Sequence, residues 1–128
     1  MRHLIDTHLL LWAASVPERL SAAAREIMTN EDFQLWFSVA SIWEVVIKAS
    51  LGRADFEVDP NLFRRGLLES DFAELTITGT HVTAVADLPP LHKDPFDRIL
   101  LAQARTEGLI LVTGDAALAR YPGHIEVV

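Results

Sequence analysis

Short apolar runs alternate with longer segments of helical periodicity along this 128-residue chain, and this alternation restricts its fold more than any other feature. Runs with strand character occupy residues 3–5, 34–37, 74–78, 109–113 and 125–128. Helical segments fall at residues 7–14, 21–29, 38–51, 59–69, 80–86 and 94–105. Such alternation is typical of α/β proteins whose strands run parallel. We therefore predict helices on both faces of a mostly parallel sheet of four or five strands.

Local signals mark where several of these helices begin and end. The pairs Asp59-Pro60 and Asp94-Pro95 each place a capping aspartate before a proline that suits the first helical position. Gly52 and Gly108 follow helical segments and predict left-handed caps. The length of the chain suits one domain, spanning residues 1–128.

The composition excludes several functional classes. The chain has no cysteine, so it has no disulfide scaffold, thiolate zinc site or cysteine nucleophile. A net charge of −7 disfavours a broad basic groove for nucleic acid, although bound cations can reverse the local sign. No apolar run approaches the ~20 residues of a membrane span, and Asp6 comes too early for a signal peptide. These features predict a cytoplasmic protein.

Four acidic residues fall where an open parallel sheet binds its ligands. Asp6 follows the first strand, and Asp115 follows the strand at 109–113. Glu44 and Asp97 lie near the beginnings of two helices. Because ligands bind beyond the carboxyl ends of parallel strands, we expect all four carboxylates to converge there. Gathered carboxylates repel one another, and Mg²⁺ or Mn²⁺ between them is the hard cation that suits such ligands.

Each acid also has a purely structural interpretation. Asp6 could cap the helix that follows it, Asp97 could complement a helix dipole, and Asp115 could be a turn residue. Glu44 could pair with Lys48 or form a capping box with Ser41. Its neighbours at 42–47 are nevertheless almost all apolar, and a carboxylate among them is costly without a partner. The joint placement of the four acids therefore favours a site.

Other residue types offer weaker candidates. The five histidines show no metal-ligand spacing, and most are expected to be structural or solvated. The three tryptophans are expected in the core or in an interface. The pair Arg64-Arg65 is expected on a solvated helix face and is the only adjacent arginine pair that could meet phosphates. No glycine-rich phosphate loop and no serine nucleophile elbow is present.

Five segments together resemble the PIN-domain ribonucleases and, more closely, the VapC-type toxins of prokaryotic toxin–antitoxin pairs. They occur in the same order over nearly the whole chain: Leu4-Ile5-Asp6-Thr7-His8, Ser41-Ile42-Trp43-Glu44, His92-Lys93-Asp94-Pro95-Phe96-Asp97-Arg98, Ala102-Gln103-Ala104 and Leu111-Val112-Thr113-Gly114-Asp115. The segment at 92–104 is the most specific of them. The resemblance implies a three-layer α/β/α sandwich, a single PIN-like nuclease domain over residues 1–128.

The resemblance also assigns roles to individual residues. It implies that the metal-binding acids are Asp6, Glu44, Asp97 and Asp115, and it leaves open whether the neighbouring Asp94 belongs with them. It implies that two further residues support the site or contact substrate, and these are Thr113 and Arg98.

The activity implied by the resemblance is RNA cleavage that uses Mg²⁺ or Mn²⁺. The implied assembly is a homodimer, blocked by a VapB-like antitoxin that inserts a tail into the acidic site. A PIN fold that acts only as a binding or regulatory module is the alternative. Divalent-dependent cleavage of RNA separates the two interpretations.

Overall fold

All five predicted strands pair in one sheet in the computed structural model, which describes residues 1–128. The strands are β1 (Arg2–Ile5), β2 (Gln34–Ser38), β3 (Ala73–Leu75), β4 (Ile110–Thr113) and β5 (Ile125–Val127). Their order is β3-β2-β1-β4-β5, and every neighbouring pair is parallel. The predicted parallel sheet is therefore confirmed, with five strands.

Six α-helices connect the strands. They are α1 (Thr7–Ser15), α2 (Ala22–Thr29), α3 (Val39–Ser50), α4 (Pro60–Glu69), α5 (Gly79–Ala84) and α6 (Pro95–Glu107). The predicted aspartate caps are confirmed, because Asp59 and Asp94 accept hydrogen bonds from the first backbone N–H groups of α4 and α6. Gly52 and Gly108 lie past helix ends at φ +66° and +68°, a conformation that favours glycine. None of the helices combines the length and apolar character needed to cross a bilayer.

Helices cover both faces of the sheet, which confirms the three-layer α/β/α architecture. Alternate strand residues point to opposite faces. Leu4 and Leu111 lie in one buried cluster with Leu100 of α6. Ile5 and Val112 lie in the other cluster with side chains of α1, α2, α3 and α4. The central strands are therefore buried on both faces, which explains their continuous apolar sequences.

The strand order creates a switch point between β1 and β4. The chain places β2 and β3 on one side of β1, and then places β4 and β5 on the other side. Ile5 pairs with Val112, and the backbone N–H of Asp6 donates to the Val112 carbonyl at 3.0 Å. The carboxyl ends of β1 and β4 therefore lie side by side, where ligands of open parallel sheets bind.

One predicted strand is shorter than its sequence pattern. Residues 74–78 alternate like a strand, but β3 ends at Leu75. The Thr78 side chain instead accepts a hydrogen bond from the His81 backbone N–H and caps α5. Because this cap needs the backbone to leave the sheet, the local capping interaction shortens the strand.

A buried polar network joins α6 to the beginning of α3. The Ser38 hydroxyl accepts from the Ala40 backbone N–H and donates to Gln103 Oε1. Gln103 Nε2 donates to the Thr76 carbonyl at 3.3 Å. Ser38 and Gln103 are fully buried, so these hydrogen bonds replace the water that the two side chains lose on folding. The network sets the position of α3, which carries Glu44, relative to α6, which carries Asp97.

Candidate active site

Asp6 lies at the switch point, directly after β1. Its Oδ1 accepts from the Leu9 backbone N–H at 3.0 Å, and its Oδ2 accepts from the Gly114 backbone N–H at 3.3 Å. The residue is only 5% exposed. Asp6 therefore caps α1, which is the structural role that the sequence offers for it. Its carboxylate is also fixed beside the loop that follows β4, where the prediction of a site places it.

The first turn of α6 carries the next two acids. Asp94 is the N-cap and accepts from the Phe96 backbone N–H at 2.9 Å, with Pro95 in the first helical position. Asp97 falls in the first turn of the helix. Burial raises the pKa of the Asp97 carboxyl above its ordinary value, and the negative charges of Asp94 and Asp6 raise it further. These three acids therefore repel one another across the site.

His92 opposes this repulsion. Its Nε2 lies 2.7 Å from Asp97 Oδ2, within hydrogen-bond distance, and 3.9 Å from Asp115 Oδ2. The hydrogen bond and charge of His92 lower the pKa of Asp97, but the pKa remains raised overall, chiefly by burial. One potential ligand atom from each of His92, Asp94 and Asp97 lies within 4.8 Å of the others. The structure therefore gathers a mixed group of one imidazole and two carboxylates.

Asp115 occupies the loop after β4, the strand that neighbours β1. Its Oδ1 accepts from the Ala117 backbone N–H at 2.9 Å, and its side chain is about half exposed. The buried Thr113 hydroxyl accepts from the Asp115 backbone N–H at 3.0 Å. Thr113 therefore supports the turn that presents Asp115.

Glu44 is buried on α3 and forms an ion pair with a lysine side chain. Lys48 Nζ lies 3.1 Å from Glu44 Oε2, one helical turn further on. This ion pair is one of the two structural roles that the sequence offers for Glu44. The capping box with Ser41 does not form, because Ser38 is the N-cap of α3 and the Ser41 hydroxyl bonds to the Thr7 hydroxyl at 2.8 Å. Glu44 does not belong to the compact group around His92.

Arg98 holds the loop that carries His92. Its guanidinium donates to five acceptors: the carbonyls of Val85, Leu88, Pro89 and His92 and the hydroxyl of Tyr121. These hydrogen bonds tie Arg98 to the loop before α6 and to Tyr121. Arg64 is likewise engaged, in a bidentate ion pair with Glu74 that raises the Arg64 pKa. Arg64 therefore already has an anionic partner, and its half-exposed side chain agrees with the expected solvated helix face.

The donor set suits a divalent cation. Carboxylate oxygens are the ligands of hard cations such as Mg²⁺ and Mn²⁺. Burial and the negative charges of Asp94 and Asp6 oppose ionisation of Asp97, and the contact with His92 does not offset them. A cation among Asp6, Asp97 and Asp94 would relieve that repulsion, so the residues present fit the ion.

Sequence reasoning does not single out His92. The spacing His92-x-Asp94-x-x-Asp97 matches none of the histidine metal motifs, and the residue lies in an irregular loop. Only the folding of that loop around Arg98 brings the imidazole to Asp97 and Asp115. The one signal in the sequence is the closeness of a histidine to two acids in the segment that most resembles the family.

Fold and site together define an α/β/α sandwich protein with acidic side chains at the carboxyl edge of a parallel sheet. The family model for the PIN domain matches residues 3–124, which is nearly the entire chain. The protein therefore belongs to the PIN-domain family, as its sequence motifs indicate.

Similar proteins include a ribonuclease and two solved complexes. The chain is 29% identical over 126 residues to ribonuclease VapC22 of Mycobacterium tuberculosis, covering 97% of this chain and 96% of that protein. Its fold is similar to that of VapBC2 from Rickettsia felis bound to a promoter DNA fragment, with a TM-score of 0.74, 14% identity and 99% and 98% coverage of the two chains. A toxin–antitoxin complex from Klebsiella pneumoniae has a TM-score of 0.63 at 23% identity, with 96% and 94% coverage. These two structural likenesses concern the fold.

Proposed function

We propose that this protein is a divalent-metal-dependent endoribonuclease, a hydrolase of RNA phosphodiester bonds that acts in the cytoplasm as the toxin of a toxin–antitoxin pair. Residues 1–128 form its single nuclease domain. The observation that carries the proposal is the convergence of Asp6, Asp94 and Asp97 at the switch point of a PIN fold. The ribonuclease relative supports the choice of RNA as substrate.

Asp6 and Asp97 are the direct ligands of the cation in this proposal. Glu44 and Asp115 hold a second ion or orient its waters, and Asp94 tunes the site from the N-cap of α6. Mg²⁺ or Mn²⁺, when bound, supplies activation of water for attack on a phosphodiester and neutralises charge on phosphoryl oxygens.

The protein's own contribution is to hold these groups in place before substrate arrives. Two backbone N–H groups fix both oxygens of Asp6. Thr113 fixes the backbone of Asp115, and the cap at Asp94 fixes the direction of α6. Ligands held by such contacts lose little freedom when the ion binds.

The net charge of −7 does not oppose the binding of RNA in this scheme, because metal loading precedes phosphate binding. The chain has two lysines, and each is next to an acid of the proposed site. Lys48 pairs with Glu44, and Lys93 stands between His92 and Asp94 in the sequence. In this proposal they contact phosphates that flank the bond that is cut.

A cleavage assay on metal-stripped protein tests the proposed activity. We expect no cleavage of RNA in EDTA and recovery with Mg²⁺ or Mn²⁺. Asp97→Asn should remove the recovery, and Asp32→Asn, which changes an exposed acid near β2, should leave it unchanged. Full cleavage in chelator would refute metal dependence. RNA binding without cleavage under every metal condition would favour the alternative of a binding module.

Besides the RNA substrate, the proposal includes a second copy of the chain as a partner. Apolar side chains on α3 and its C-cap follow helical spacing and remain exposed: Trp43, Val46, Ile47 and Leu51. This stripe matches the expectation that a tryptophan serves an interface, and a symmetric dimer would bury it. Light scattering should show a dimer at micromolar concentration and a monomer for Val46→Lys. A wild-type monomer at high micromolar concentration would refute this part of the proposal.

The third partner is a VapB-like antitoxin. A largely apolar groove of about 1080 Å³ runs between α1, α2 and α4, with Leu10, Met28, Leu62 and Phe72 among its lining residues. We place an amphipathic segment of the antitoxin in this groove, and a tail bearing Arg or Lys in the acidic site. Expression of the chain should arrest growth, and co-expression of the neighbouring antitoxin gene should relieve the arrest. Identical arrest with and without that gene would refute the assignment.

A further inference from the structure

His92 has the position of a metal ligand, although the acids alone account for the proposed site. Its side chain is 30% exposed, and its Nε2 stands between two carboxylates from different parts of the chain. Asp97 belongs to α6, and Asp115 follows β4. His92 therefore bonds to one of the predicted metal-binding acids and lies near a second.

The distances agree with shared coordination. Octahedral ligands about 2.1 Å from an ion lie about 3.0 Å apart in adjacent positions and about 4.2 Å apart in opposite positions. The separation between His92 Nε2 and Asp97 Oδ2 is 2.7 Å, close to the adjacent value. The separation between His92 Nε2 and Asp115 Oδ2 is 3.9 Å, between the adjacent and opposite values. One ion can therefore be shared by His92 and Asp97 after a shift of about 0.3 Å, whereas Asp115 lies outside the group of ligand atoms that are within 4.8 Å of one another.

The loop that carries His92 is held from both sides. Arg98 donates to its carbonyl and to the Pro89 carbonyl, and Asp94 caps α6 two residues further on. A side chain on a loop that is anchored in this way is presented in a defined direction.

We propose that His92 is a nitrogen ligand of the cation bound by Asp6 and Asp97, and that it makes the site prefer Mn²⁺ to Mg²⁺. This inference rests on the proposed metal-dependent function. Mg²⁺ selects oxygen ligands, whereas an imidazole nitrogen is a better ligand for transition metals. A cation held by His92 and Asp97 would replace the hydrogen bond between them and would need the unprotonated Nε2 of His92 as its ligand.

Binding of the metal alone tests the inference without a cleavage assay. Metal-free wild type, His92→Ala and His92→Gln are titrated calorimetrically with Mn²⁺ and separately with Mg²⁺. His124→Ala is the matched control, because His124 is exposed in the loop before β5. We expect His92→Ala to weaken Mn²⁺ binding about tenfold or more and Mg²⁺ binding much less, as expected for loss of a nitrogen ligand. Pulsed electron paramagnetic resonance of Mn²⁺ should show ¹⁴N coupling in wild type and in His124→Ala, but not in His92→Ala.

Each other outcome overturns the inference in a recognisable way. Equal weakening of both ions, without ¹⁴N coupling in wild type, would make His92 a supporting residue only. Unchanged affinities in a folded His92→Ala protein would remove His92 from the site. His92→Gln keeps a hydrogen-bond donor for Asp97, so normal Mn²⁺ affinity in this variant would also assign the role to hydrogen bonding. Wild-type protein that binds neither ion would refute the proposed function as well, whereas the first three outcomes leave it standing.

Discussion

Asp94 and Asp97 share one helical turn but are expected to have separable roles. Asp94 caps α6 through a 2.9 Å hydrogen bond to the Phe96 backbone N–H, and asparagine caps about as well as aspartate. Asp94→Asn should therefore change the free energy of unfolding by only a few tenths of a kcal/mol, roughly within the spread of good caps. Asp97→Asn removes the negative charge of a metal ligand but keeps the shape of the side chain. Cleavage should fall about a hundredfold or more, as for other losses at metal sites.

The apo stability of Asp97→Asn follows from the sign of its pKa shift. The pKa of Asp97 is raised by burial, so ionisation of this carboxyl opposes folding at neutral pH. That penalty is absent below the ordinary pKa of 3.8 and grows as the pH rises through the raised value. Asp97→Asn removes it, and without metal the variant should be no less stable than wild type at pH 7.

Metal should stabilise the variant less than wild type. Cation at a hundred times its dissociation constant stabilises wild type by about 2.7 kcal/mol, and hundredfold weaker binding leaves about 0.4 kcal/mol. For a chain of 128 residues these values correspond to increases in Tm of about 10 °C and about 1.5 °C. Melting curves of both variants with and without Mg²⁺, beside one cleavage assay, measure all of these quantities. An Asp97→Asn protein that is destabilised without metal but cleaves normally would show that Asp97 is a structural residue of α6, and our site would be wrong.

Three further predictions concern the supports of the fold. Burial lowers the pKa of His3 below 6.5, so the stability conferred by its neutral ring is lost as the pH falls through the pKa of the folded state. His3→Phe should therefore lose less stability than wild type between pH 7 and pH 5, as measured by urea titration. Arg98→Lys should lower the free energy of unfolding by about 2–3 kcal/mol, because an ammonium cannot reach the five acceptors of the guanidinium, and an unchanged urea midpoint would contradict this. Gln103→Leu leaves the buried Ser38 hydroxyl without its acceptor and should cost about 1–3 kcal/mol, whereas the double variant with Ser38→Ala should recover part of that loss.

The beginnings of α4 and α6 could be predicted from the sequence because capping depends on neighbouring residues. Asp94 and Pro95 define the start of α6 by a hydrogen bond and a fixed φ, and neither depends on the rest of the chain. The same holds for Gly108, whose positive φ ends the helix. These local interactions are present in the sequence itself, and the structure confirms them. β3 shows the limit, because two local preferences compete at Thr78 and only the folded chain shows that capping prevails.

The acids that follow β1 and β4 could be predicted by residue type and by their position at the carboxyl edge of the sheet, but the contacts that they make there could not. The sequence by itself determines that Asp6 and Asp115 each follow an apolar strand, because this is a property of the order of residues. Tertiary structure alone decides that β4 pairs with β1, that the loop folds around Arg98, and that His92 meets Asp97 and Asp115. The physical reason is the range of the interactions. Caps and periodicity act over a few residues, whereas strand order and loop position depend on packing summed over the whole core.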